Sequence, residues 1–150
     1  MNEFAKAYQE GCKKCRYKLK KIKSSTPRGH LLKLKGAMKG ATKERNNKGH
    51  DHQEPEFELE DMIELFNSQN GLCAYSGIPL KFGSCKDNWW VCSPERLDTT
   101  KGYIKGNVCL ICHEFNTYVQ GGCEESSGWN KEKIETLKLA LKEKYNNVVE

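Results

Sequence analysis

The side chains able to do chemistry crowd into residues 72–121, which begin LCAYSGIPL and end SPERLDTTKGYIKGNVCLICHEFNTYVQG. The second stretch includes the carboxylates Glu95 and Asp98, the guanidinium Arg96, the amides Asn107 and Asn116 and the imidazole His113. The chain has eight cysteines. Its N-terminus, MNEFAKAYQEG, lacks the apolar run of a secretory signal, so they read as thiols or metal ligands before disulfides. Cys109-x2-Cys112 and Cys12-x2-Cys15 both have the spacing of a zinc knuckle. A four-cysteine structural Zn²⁺ site could join them, or Cys85 and Cys92, or His50 and His52, could complete a site with Cys12 and Cys15. A pair that binds nothing is the plain alternative.

The stretch SPERLDTTKGYIKGNVCLICHEFN resembles the HNH, or ββα-metal, endonuclease family, in branches whose first motif reads D-R-x-D. CAYSGIPL resembles the knuckle opening C-x-x-C-G of that family, with Ser76 at the second cysteine, and EFELEDMIELFNSQNG resembles the helix leading into it. The resemblance covers roughly residues 12–121. It implies a small ββα-metal hairpin-helix core in an α+β fold, flanked by helices. Glu95 then matches the acidic metal ligand, Asn116 the ligand on the following helix, and Asn107 the central residue bracing the loop between them. Arg96 stands where a catalytic His is usual.

That assignment implies metal-dependent hydrolysis of phosphodiester bonds. One Mg²⁺ (or Mn²⁺) held by a carboxylate and a neutral amide oxygen offsets charge on the phosphate and departing oxygen, and leaves positions for water. Arg96 could grip a phosphate in bidentate fashion, and Asp98 could tether Arg96 or orient water. Arginine is no general base. His113, three residues before Asn116, is a candidate, as are Tyr103, Tyr118 and metal-activated water. The knuckle positions in this chain would be Cys73 with Ser76 and Cys112 with Phe115. Loss of both second ligands implies a retired zinc site, with Cys73 and Cys112 as small buried thiols.

Residues 1–50 carry 15 Lys/Arg against 3 Asp/Glu, a formal +12, whereas residues 51–150 carry 10 against 17, a formal −7. A basic arm before an acidic body points to nucleic acid or an anionic surface, and the nuclease resemblance makes DNA the expected partner, with Lys13, Lys14, Arg16, Lys18, Lys20, Lys21, Lys35, Lys39 and Lys43 on its phosphates. No run of about 18 apolar residues exists, so no membrane partner is expected. The expected setting is intracellular, cytoplasm or nucleus, with phage, virus or mobile-element origin compatible. One site cuts one strand, so double-strand cleavage would call for a homodimer. Two rivals compete with the nuclease. One is a catalytically inactive zinc-knuckle protein that still binds nucleic acid. The other is a helical protein whose arm docks on acidic partners.

The elements that must position these groups are helices around a hairpin. Residues 29–48 read as a basic helix with Leu31, Leu34, Met38 and Ala41 on one face and Lys35, Lys39 and Lys43 on another. In FELEDMIELFNSQNG, Leu59, Met62, Ile63 and Phe66 form an apolar stripe, with Gly71 just past the end. Residues 72–106 suit a compact loop and hairpin. Asn107 to about Val119 reads as a helix with Asn107 able to cap it, and 131–146 as another, with Ile134, Leu137, Leu141 and Tyr145 on one face. Trp89–Trp90 reads as one core ring and one partly exposed neighbour, and His50 and His52 as an exposed linker. The organisation expected is a basic arm over 1–50, a nuclease core over 56–121, and a packing loop and helix over 122–150.

Overall fold

Apolar residues at helical spacing build the first half of the chain. The computed structural model describes residues 13–116 and 131–146. Helix α1, Lys13–Ser24, buries none of its residues. A tight corner separates it from α2, Pro27–Asn47, whose first turn is capped by Thr26: its hydroxyl accepts from the Gly29 N–H at 3.1 Å. Pro27 suits that first turn, where its missing N–H costs nothing. Gly29 is required at the corner, because a Cβ there would lie 1.9 Å from the Lys23 carbonyl oxygen.

Leu31, Leu34 and Met38 turn inward from α2 and are buried, with Ala41 packed beside them, as the periodicity predicts. Burial of such side chains stabilises by about 1.5–3 kcal/mol each as an upper bound. Although α2 lies in the basic segment, its apolar face belongs to the same core as the later elements. Helix α3, Leu59–Ser68, presents the expected stripe, with Met62 fully buried and Leu59, Ile63 and Phe66 packed on the core. The Asp61 carboxylate accepts the Glu58 N–H at 2.7 Å and satisfies the helix entrance.

Strands β1, Cys92–Arg96, and β2, Val108–Cys112, form a two-stranded antiparallel sheet in the register Cys92↔Cys112 to Arg96↔Val108. The helix expected from Asn107 onward is therefore corrected: VCLIC is a strand, followed by a single 3₁₀ turn, His113–Phe115. The physical reason is that all five residues of VCLIC are buried. A run buried all round has no amphipathic period, and length with β-branched content favours a strand. Asn107 therefore caps no helix.

The last helix, α4, spans Lys131–Asn146 as expected, but its inward face differs. Leu137 and Ala140 pack on the core, whereas Ile134 and Tyr145 are exposed. Lysines hold its two ends. Lys133 is buried 3.6 Å from Glu114, and Lys144 donates to the Ala74 and Tyr75 carbonyls at 2.7 and 3.0 Å. The stripe is thus 133–137–140–144, in which two lysines do what apolar residues were expected to do. Trp90 is buried and Trp89 half-buried, as expected of that pair. Among the described residues no helix is long and apolar enough to cross a membrane.

Gln69, just after α3, clamps the outer edge of β2. Its Oε1 accepts the Leu110 N–H at 2.8 Å, and its Nε2 donates to the Leu110 carbonyl at 2.8 Å. Gln69→Ala would strand a buried donor, so it is expected to lower unfolding free energy by about 1–3 kcal/mol in urea titrations. Gln53→Ala, on the surface, should change it by less than about 0.5 kcal/mol.

Candidate active site

In β1, Pro94 has no N–H, and its carbonyl points out of the sheet, away from Leu110, its cross-strand partner. Asn116, at the end of the 3₁₀ turn, answers that carbonyl: its Nδ2 donates to Pro94 O at 2.7 Å and to Ser93 Oγ at 2.8 Å. Only an NH₂ can satisfy a carbonyl, so chemistry fixes which way the amide faces. Both hydrogens are used, and among the described residues Oδ1 accepts no hydrogen bond. The result is an oriented amide oxygen turned away from the strand.

Glu95 follows on β1. Strand alternation puts Ser93 and Glu95 on one face, so the hydroxyl that anchors Asn116 neighbours the Glu95 carboxylate. Glu95 is half-buried and takes no hydrogen bond or ion pair among the described residues. Its charge helps hold the nearby Tyr75 and Cys109 protonated, behind the larger effect of their burial. One carboxylate and one neutral amide, both all-oxygen donors with open capacity, fit a hard divalent cation better than a zinc ion.

His113 and Asn116 line one cleft of about 330 Å³ between α2 and β1, with Lys33, Ser93 and Tyr103 also in its wall. Glu95 does not line it. Burial lowers the His113 pKa from 6.5, and Lys33 adds to this while Glu114 opposes it. The imidazole is therefore neutral at neutral pH and able to accept a proton.

Asn107 does the bracing expected of it. It is buried, its Oδ1 accepts the Asp98 N–H at 2.9 Å, and its Nδ2 donates to the Asp98 and Gly102 carbonyls at 3.0 and 2.9 Å. Both amide hydrogens and the amide oxygen are engaged with the loop joining β1 to β2.

Arg96 joins the same loop rather than standing free. Its Nη1 donates to the Thr99 and Lys101 carbonyls at 2.8 and 3.0 Å, and its guanidinium lies 5.5 Å from the Tyr103 ring centroid. Asp98 does not tether it. That carboxylate accepts from Thr100 N at 2.9 Å and Oγ1 at 2.6 Å, and faces Lys101 at 3.3 Å. Those hydrogen bonds hold its pKa below the usual value.

The knuckle positions converge as buried side chains. Cys73, Ser76 and Cys112 are each at most 2% exposed, and the Cys112 N–H points at Cys73 Sγ at 3.3 Å. A hydrogen bond from the Cys112 thiol holds the Cys73 thiol down to about 5, while that same side-chain contact and burial push Cys112 up. Phe115 stacks near Trp90, with ring centroids 6.4 Å apart. Cys109 and Cys112 lie three apart on an extended strand and so face opposite ways. Cys15 is exposed on α1, and among the described residues no group of three or more His, Cys, Asp or Glu could hold a metal. Cys12, Tyr118 and Cys123 lie outside the described residues.

Sequence reasoning passed over several participants. Ser93 could have been found by counting two back from Glu95 along a strand. His52, expected in an exposed linker, is buried at 9% exposure, held by paired hydrogen bonds between its backbone and Asn46 at 2.9 Å. Burial first and Arg96 second lower its pKa. Lys35, expected on phosphate, is turned to an ion pair with Glu58, whereas Lys13, Lys14, Arg16, Lys18, Lys20, Lys21, Lys39 and Lys43 are exposed. No protein-family model, curated protein or solved structure matches this chain.

If Asn107 is the brace of this loop, Asn107→Asp should be as damaging as Asn107→Ala, because a carboxylate cannot donate to two carbonyls. Each should cost about 1–3 kcal/mol. Asn107→Ala should also speed amide hydrogen exchange at Asp98, where the wild-type bond protects it, whereas the carboxylate of Asn107→Asp can still accept that N–H. An Asp98 amide as protected in Asn107→Ala as in the wild type would remove Asn107 from that role.

Proposed function

We propose that this chain is a metal-dependent endonuclease that hydrolyses phosphodiester bonds of DNA through a one-metal, HNH-like site. The observation that carries the reading is the Asn116 amide, anchored through both hydrogens to Ser93 and Pro94, the two residues before Glu95 on β1, with Oδ1 accepting no hydrogen bond among the described residues. Glu95 and Asn116 would hold one Mg²⁺ or Mn²⁺. When bound, that ion would stabilise negative charge developing on the phosphate and leaving oxygen.

The chain's own groups account for the remaining steps. Exposed lysines of α1 and α2 hold the phosphate backbone. Asn107 and Arg96 keep the loop after β1 in one shape, so Glu95 stays placed. His113, neutral and in the same cleft as Asn116, takes a proton from the attacking water. The new P–O bond forms from that water, and the 3′ oxygen leaves with the electrons of the bond that breaks and is protonated by solvent. Cleavage of both strands would need a second copy or a second visit.

One observation favours a second reading, a nucleic-acid-binding protein without catalysis. Arg96, at the position where the resembled family places its catalytic His, is committed to the Thr99 and Lys101 carbonyls. Incubation with supercoiled plasmid separates the two. The nuclease reading expects nicking with Mg²⁺ or Mn²⁺ and none in EDTA. Removal of outer-sphere partners commonly costs about 10–100-fold, so loss of a direct ligand in Asn116→Ala should cost about 100-fold or more. DNA retardation without nicking in any metal would sink the catalytic claim and leave the binding reading.

The pH profile tests His113 separately. The base works deprotonated and its pKa is lowered, so the nicking rate should climb with pH to a midpoint below 6.5 and stay level above it. His113→Gln should slow nicking by about 10²–10⁴-fold and remove that acid limb. An unchanged limb in the variant would assign it to another group.

A further inference from the structure

A second, larger cleft of about 690 Å³ lies where α1, the start of α2 and the turn at residues 84–87 meet. Its walls carry Lys20, Lys21, Lys23, Arg28, Lys33 and Lys86, against one carboxylate, Asp87. Asp87 is engaged with Lys21 at 2.9 Å, and Arg28 lies 3.7 Å from Glu60. Two apolar side chains in the same walls face solvent: Tyr17 is 71% exposed and Leu32 52%. Lysines alone on a helix are ordinarily a solvated face. A concave wall of cations from three separate segments with an uncovered aromatic ring is a different object. Phosphates satisfy the cations, and a base stacked on Tyr17 would cover the ring.

A duplex cannot use both features, because its bases are stacked inside and only phosphates face outward. An unpaired strand presents phosphates and base faces together. The cleft also has a direction. Lys33 and Ser84 line both it and the smaller cleft that holds His113 and Asn116. We infer that the basic cleft binds an unpaired strand of nucleic acid, with a base on Tyr17, and leads that strand past Lys33 to the Asn116 cleft. Only the destination of the strand rests on the nuclease reading; its capture does not.

Fluorescence anisotropy in EDTA tests capture without catalysis, using labelled oligothymidine, the same strand paired with oligoadenylate, and polyglutamate as competitor. Oligothymidine should bind more tightly than the duplex and resist polyglutamate. Tyr17→Ala should weaken it roughly tenfold, while Tyr17→Phe, which keeps the ring, should not. Lys23→Gln and Lys33→Gln should each flatten the dependence of log affinity on log salt by about 0.7, and Lys138→Gln on α4 should leave it unchanged. All these side chains are exposed, and circular dichroism checks that each variant is folded.

Equal or tighter duplex binding, indifference to Tyr17→Ala, or equal competition by polyglutamate overturns the proposal. Failure of the nuclease reading would look different, with strand binding intact and no metal-dependent nicking. Nicking that survives alongside Tyr17-insensitive binding would count against the cleft alone.

Discussion

A sheet of two strands has two edges and nothing else to cover them, and in this molecule both strands are largely buried. Every N–H and C=O that β1 and β2 turn outward must therefore find a partner from elsewhere in the chain. On the β1 edge, Cys92 N–H goes to the Lys81 carbonyl at 2.8 Å, Cys92 O takes His30 Nε2 at 2.8 Å, and Pro94 O takes Asn116. On the β2 edge, Leu110 is held by Gln69 and by Ala74 N–H at 3.0 Å, and Cys112 N–H meets Cys73 Sγ. Helix α2, the end of α3, the knuckle loop and the 3₁₀ turn are thus all fixed in relation to one small hairpin by the same need.

The site is a by-product of that requirement. Asn116 is oriented because Pro94 needs a donor, and a side-chain amide that satisfies a carbonyl must turn its own oxygen elsewhere. His30 shows the same logic with no capacity to spare. Its Nδ1 accepts the Gly83 N–H at 3.2 Å while Nε2 serves Cys92, so both ring nitrogens are used and the ring stays neutral in a buried position. Burial lowers its pKa accordingly. His113, in the same cleft, makes no such double commitment among the described residues. Cys73 likewise acts as an edge partner, an acceptor for the Cys112 N–H.

What could be read from the sequence follows from which signals are local. The amphipathic faces of α2 and α3 were legible because Leu31, Leu34, Met38 and Met62 recur at helical spacing against lysines and glutamates. The strand at 108–112 was not, because an unbroken apolar run carries no period. The inward face of α4 was missed because its buried positions include Lys133 and Lys144, whose partners Glu114, Ala74 and Tyr75 are distant in sequence. Asn107 and Asn116 stood out as amides near a hairpin, and both are buried or anchored. Ser93 and Gln69 did not, since serine and glutamine at those positions look like surface residues until the strand edges are known. Arg96 was legible as a departure, but not its commitment to two loop carbonyls.

The charge asymmetry of the chain acquires a spatial meaning from the same folding. Acidic residues of the second half reach back to some cations of the first: Asp87 to Lys21, Glu60 to Arg28, Glu58 to Lys35. Exposed pairs of this kind contribute little stability, about 0–1 kcal/mol. Their larger consequence is distribution. Lys35, the most enclosed of these cations, is removed from the surface field, while Lys20, Lys23 and Lys33 form no ion pair among the described residues along the wall that reaches the Asn116 cleft. A uniform basic coat would bind an anion anywhere. Selective neutralisation leaves a path with an end, the cleft where Asn116, held by Ser93 and Pro94, turns its amide oxygen away from the strand.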